Sequence, residues 1–100
     1  MNSLNSTIIE GKVTAKAEAS KADNGINFIR ITLEVDNFGE KEPFEVQASG
    51  NLADQIESNV KIGQECRCVG RLRLVKWYNT EISRPCSKVV ISAEHMEIKK

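Results

Sequence analysis

The stretch Glu65–Tyr78, ECRCVGRLRLVKWY, alternates with a period of two: Cys66, Cys68, Gly70, Leu72 and Leu74 fall in one phase, Arg67, Val69, Arg71 and Arg73 in the other. A β-strand with one buried side turns that spacing into two chemically different faces. It runs into Lys76, Trp77 and Tyr78. Guanidinium groups on the open side, with a lysine and two adjacent rings at the exit, offer the two grips by which an unpaired nucleic-acid strand is held: cations for phosphates and flat rings for bases.

The rest of the chain repeats the strand signal with one exception. Thr7–Ala19 alternates loosely, and Gly11 within it marks a sharp bend. A polar turn, Ser20–Gly25, leads to a second strand, Asn27–Val35, with Ile29, Ile31, Leu33 and Val35 in one phase. Asp36–Pro43 reads as a charged loop with Phe38 near its tip, and Phe44–Ser49 as a short third strand. The period then changes. Leu52, Ala53, Ile56 and Val60 recur at helical spacing, Asn51 is the expected N-cap, and Gly63 closes the segment. After Tyr78 comes a loop, Asn79–Ser87, broken by Pro85. A last strand, Lys88–Ile98, has Val89, Ile91, Ala93, Met96 and Ile98 as inward candidates.

The order is strand, strand, strand, helix, strand, strand. One hundred residues suffice for a single core, so residues 1–100 are expected to form one domain. Five twisted strands in so small a chain avoid exposed edges by curling into a barrel, with the helix plugging one end. The expected fold is all-β: an OB-fold, a five-stranded Greek-key barrel with one short helix between strands 3 and 4. Barrels of this shape hold oligonucleotides on one face and under the flanking loops, although shape alone does not assign function.

Charge sharpens this. The formal net charge is zero, yet residues 34–57 carry seven acids against Lys41 alone, whereas 61–88 carry seven bases against Glu65 and Glu81. Such a dipolar chain can hold a polyanion through its basic half; alternatively, the two segments pair with each other across a sheet. Three cysteines make a poor disulfide framework and read as free thiols used as small hydrophobes. A zinc site from Cys66, Cys68, Cys86 and His95 is disfavoured, because same-face neighbours on a strand stand roughly 7 Å apart. No cofactor or metal is expected. Catalysis is not expected either: the single histidine lacks a nucleophile partner, and the sequence carries no phosphate-binding loop or H-E-x-x-H motif. Apolar runs are far too short for a spanning helix and Met1–Thr7 is polar, so a cytoplasmic location is expected.

Taken together, NSTIIEGKV at Asn5–Val13, FIRITLEVDN at Phe28–Asn37, SGNLADQI at Ser49–Ile56, GQECRCVGRLRLVKW at Gly63–Trp77 and VVISAEHMEI at Val89–Ile98 resemble the DNA-binding domain of the bacterial single-stranded-DNA-binding proteins. The resemblance spans nearly the whole chain. It implies a homotetramer of OB domains that wraps single-stranded DNA without sequence preference during replication, recombination and repair. Carried over by position, the family's strand-4 aromatic falls on Trp77, the adjacent basic position on Lys76 and the strand-4 arginine on Arg73. A further stacking ring is met most closely by Phe38, displaced by about one position. Three positions depart: Ser49 and Pro43 stand where the family has aromatics, and Ile62 where it has a lysine. The sequence ends at Lys100 without the acidic tail by which family members recruit other replication proteins, so either that hub role is lacking or the chain is a shortened form. A tailless chain of this length also resembles the dimeric primosomal replication protein n, the second expectation, and a protein-interaction OB module is the third. The candidate DNA-binding residues are Trp77, Lys76, Arg73, Arg71, Tyr78, Phe38, Lys12, Arg30 and Arg84. Phe28 and Phe44 are left between groove rings and sheet packing in an oligomer.

Overall fold

A strand buries its backbone polar groups only if each edge finds a ladder, and here each of the five long strands has at least two neighbours. The structure, a computed structural model, describes residues 3–17, 20–21 and 24–99. Its elements are β1 (Thr7–Lys16), β2 (Ser20–Lys21), β3 (Asn27–Asn37), β4 (Glu40–Ser49), α1 (Gly50–Asn59), β5 (Glu65–Asn79) and β6 (Arg84–Ile98). The sheet order is β1-β5-β6-β4-β3-β2, and β1 also pairs with β3 to close a five-stranded barrel. Only β4 and β6 run parallel. This is the expected OB-fold, with the two-residue β2 as an unforeseen addition beside β3. The centre of the expected Ser20–Gly25 turn and the end of the expected first strand, residues 22–23 and 18–19, lie outside the described residues.

Closure depends on β1 changing partners. Thr7–Lys12 pair with β5 and Lys12–Lys16 with β3, so Lys12 belongs to both ladders. At Gly11, a Cβ would stand 2.6 Å from the Glu34 carbonyl oxygen. The bend expected there is therefore a close backbone approach that any side chain would obstruct.

The barrel interior holds Val13, Ile29, Ile31, Leu33, Val46, Ala48, Ile91 and both Cys66 and Cys68, and α1 closes one end with Ala53 and Ile56. Each large aliphatic side chain removed from water contributes roughly 1.5–3 kcal/mol. The helix is capped differently from expectation. Ser49 in extended conformation (φ −137°) is the N-cap rather than Asn51, with no side-chain cap bond, because the helix starts directly at the end of β4. At the other end Lys16 Nζ donates to the carbonyl oxygens of Glu57 and Val60, both at 2.8 Å. Those oxygens are orphan acceptors of a helix C-terminus, so a cation from β1 ties the helix to the barrel.

Both expected loops are much shorter in the structure. β3 and β4 pair up to Asn37↔Glu40, leaving Phe38-Gly39 as a two-residue turn with positive φ at both residues (53° and 95°). The acids and Pro43 that suggested a loop lie in the ladder instead. Pro43 is accommodated because β4 has a neighbour on one side only at that level. Likewise Asn79–Ser87 is largely strand, and β5 and β6 pair to Asn79↔Arg84. Since β4 meets β6 only at Val46↔Ile91 and Gln47↔Ser92, the distal parts of β5 and β6 stand off the barrel as a two-stranded arm. Asn5 secures its base: its Nδ2 donates to the Leu72 carbonyl oxygen at 2.8 Å, and its Oδ1 accepts from the Leu72 N–H at 3.0 Å. Leu72, Leu74 and Val89, expected inward, are therefore about half exposed or more, while Val90 of the opposite phase is buried. Their alternation outruns the core it would otherwise fill.

Candidate nucleic-acid interface

The arm's ladder is regular from Gly70↔Ala93 to Asn79↔Arg84, so alternation assigns its faces without ambiguity. One face carries Arg71, Arg73, Val75 and Trp77 from β5, with Arg84, Cys86, Lys88 and Val90 opposite them on β6. Trp77 pairs directly with Cys86, a small neighbour, and its indole is 44% exposed. Arg73 lies four residues before Trp77 on β5, and Arg84 lies diagonally across on β6. Lys76 and Tyr78 belong to the reverse face, with Leu72 and Leu74. The sequence reading grouped all of these on one shelf. They sit on two sides of the two-stranded ribbon instead, and apart from buried Val90 each side carries exposed side chains.

Ion pairing separates committed cations from available ones. Arg67 bonds Glu10 at 2.8 Å, Lys99 reaches the same carboxylate at 3.4 Å, Lys41 pairs with Asp36, and Lys88 holds Glu45 at 2.7 Å. Among the described residues Arg71, Arg73, Lys76 and Arg84 form no salt bridge. Among the described residues, Lys88–Glu45 is the one salt bridge joining the acidic and basic segments of the sequence, so mutual neutralisation across the sheet accounts for one base out of seven.

The barrel extends the arm's outer face. Arg30 on β3 stands opposite Gln47 on β4, Gln47 opposite Ser92 on β6, and Ser92 opposite Arg71 on β5, a single row across four strands. Glu45 is the acid on this surface nearest that row, two residues from Gln47 on β4. Burial pushes its carboxyl up, but hydrogen bonds from Lys88 and Gln47, with the charges of Lys88 and Arg30, outweigh that and hold it below the ordinary value. It therefore remains an anion already matched by cations.

Two other candidates lie apart. Lys12 is exposed at the β1–β3 and β1–β5 seam, in register with Glu34 and Glu65. Phe38 is fully exposed at the tip of the β3–β4 turn, in a left-handed conformation (φ 53°) that a ring-bearing residue rarely adopts. Among the described residues no cluster of His, Cys, Asp or Glu is arranged to hold a metal. Cys66 and Cys68 point into the barrel, whereas His95 lies opposite outward Val69. Sequence reasoning left Lys88 out of the candidates and Phe28 undecided. Only cross-strand register could reveal that they share this surface.

The sequence profile of the "Single-strand binding protein family" matches residues 4–99. No curated protein sequence matches the chain. Among solved structures the fold is similar to that described as "Plasmodium falciparum SSB complex with ssDNA", with a TM-score of 0.87 and 16% identity, covering 100% of this chain and 98% of that one.

Proposed function

Since the chain belongs to the single-strand binding protein family, we propose that it binds single-stranded DNA without sequence preference, stacking bases on Trp77 and neutralising phosphates with Arg71, Arg73 and Arg84. The carrying observation is the half-exposed indole between guanidinium groups that no described carboxylate engages. In water a phosphate is the natural partner for such groups, and every base has a face to stack, so the combination is sequence-tolerant. The solved relative's description names single-stranded DNA as that protein's ligand, and the same ligand suits this arm. Lys76 and Tyr78 on the reverse face let a strand pass around the ribbon. Phe38 supplies a further ring at the β3–β4 tip, and Arg30 and Lys12 are outlying cations. The family is one of binding rather than catalytic proteins.

Within this reading the chain is a single domain that works as a homo-oligomer in replication, recombination and repair, a tetramer ahead of a dimer. Leu72, Leu74 and Val89 share one arm face and are 48–63% exposed, and contiguous apolar surface of this kind is normally covered by a partner. Sedimentation velocity distinguishes the two assemblies from a monomer.

The decisive titration follows Trp77 fluorescence on adding poly(dT). Quenching at low salt is expected, with double-stranded DNA far weaker because its base faces are occupied. Trp77→Leu should weaken binding by about 1–3 kcal/mol, read by competition against a labelled oligonucleotide. Absence of quenching at low salt overturns the proposal.

A further inference from the structure

Phe28 lies on the outer side of β3, since Ile29 beside it is buried in the core. Its in-register neighbours are Ser20 on β2 and Ser49 on β4. Between two serines the phenyl ring keeps part of its surface open: Phe28 is partly exposed, and it is not among the residues packed against the core. Phe44, by contrast, pairs with buried Leu33 and is of the opposite phase.

Two open clefts meet at this ring. One, of about 200 Å³, is lined by Phe28, Gln47, Ser49, Arg73 and Ser92. The other, of about 360 Å³, runs from Phe28 and Ser49 past Asn27 and Ile26 to Lys21. Together they form one groove with a cation towards each end, Arg73 and Lys21, and an aromatic floor between them. Hydroxyl and amide groups of Ser49, Ser92 and Gln47 line its walls. An apolar peptide would leave those cations and polar walls unused, whereas a nucleotide uses all three features at once: base on ring, sugar and base edges on the polar walls, phosphates at the ends.

We propose that Phe28 is a second base-stacking seat, over which a single strand leaving the Trp77 arm at Arg73 continues across β4 and β3 to Lys21. This rests on the reading that the chain binds single-stranded DNA. The seat is sequence-tolerant, and it makes affinity depend on a strand being long enough to reach from Trp77 to Phe28.

Oligo(dT) of stepped length, titrated against the intact protein and Phe28→Leu, tests the seat; leucine keeps the apolar bulk but lacks the aromatic face. Short oligomers that engage Trp77 alone should bind both proteins equally. Beyond a threshold length the unaltered protein should gain affinity that Phe28→Leu lacks, a difference of about 5- to 150-fold. A Phe28→Trp, Trp77→Phe variant gives an independent signal: its indole should be quenched by long oligomers only. Identical length dependence in the unaltered protein and Phe28→Leu, or an unresponsive indole at position 28, overturns the seat while quenching of Trp77 still stands. Absence of Trp77 quenching overturns the underlying reading as well.

Discussion

At the scale of single residues, the two strand phases of Glu65–Tyr78 have opposite chemical fates. Cys66 and Cys68 are fully buried, and burial, with neighbouring Cys66, pushes the Cys68 thiol up to about 11. The unfolded chain ionises such a thiol near its ordinary value of 9. Between pH 9 and 11 the unfolded state has therefore released a proton that the folded state still holds, so this contribution to stability is complete below pH 9 and is lost as pH rises. Urea midpoints should fall through that window, and Cys68→Val should fall less steeply; equal slopes would refute the assignment. In the native state near pH 8, alkylation should reach Cys86 first, because its partly exposed sulfur lies outside the core. The burial of Cys66 and Cys68 was legible from alternation alone. The faces of Lys76 and Tyr78 were not, since parity counted beyond Leu74 has meaning only once the strand is known to continue without a bulge to Asn79.

Among the elements, the long arm and the short turns are what the sequence concealed. Asp, Glu, Asn and Pro favour loops when considered locally, but a ladder partner in register overrides that preference. Glu40–Pro43 and Arg84–Ser87 accordingly became strand. Two substitutions test how the elements are held together. In Gly70→Ala the new methyl group would collide with the Ser92 carbonyl on β6. Backbone cannot move aside as a flexible side chain does, so a loss of about 1–3 kcal/mol or more is expected, read as a lower urea midpoint. In Lys16→Met the apolar stem stays while two helix-end carbonyls lose their donor. That should lower stability by about 0.5–1.5 kcal/mol per hydrogen bond removed. DNA affinity should be unaffected in Lys16→Met, because its ammonium is committed to α1.

For the whole molecule, a net charge of zero conceals a division of labour between neutralised and available cations. The sequence displayed the acidic and basic halves. It could not say which cations were already paired, because Arg67 meets Glu10 and Lys88 meets Glu45 across strands far apart in the chain. If Arg71, Arg73, Lys76 and Arg84 each neutralise one phosphate, log affinity for a short oligo(dT) should fall with log salt at a slope of about −2.8, or about −0.7 per contact on a single strand. Replacing Arg71 and Arg73 together by glutamine should make that slope shallower by about 1.4. Arg67→Gln should leave the slope unchanged, since its guanidinium is held by Glu10, at the end of β5 away from the arm. The contrast separates local contact from overall charge: both variants remove positive charge, so a slope set by net charge would respond to Arg67→Gln as well. An equal change per charge removed in the two variants would therefore refute the assignment of phosphate binding to the arm.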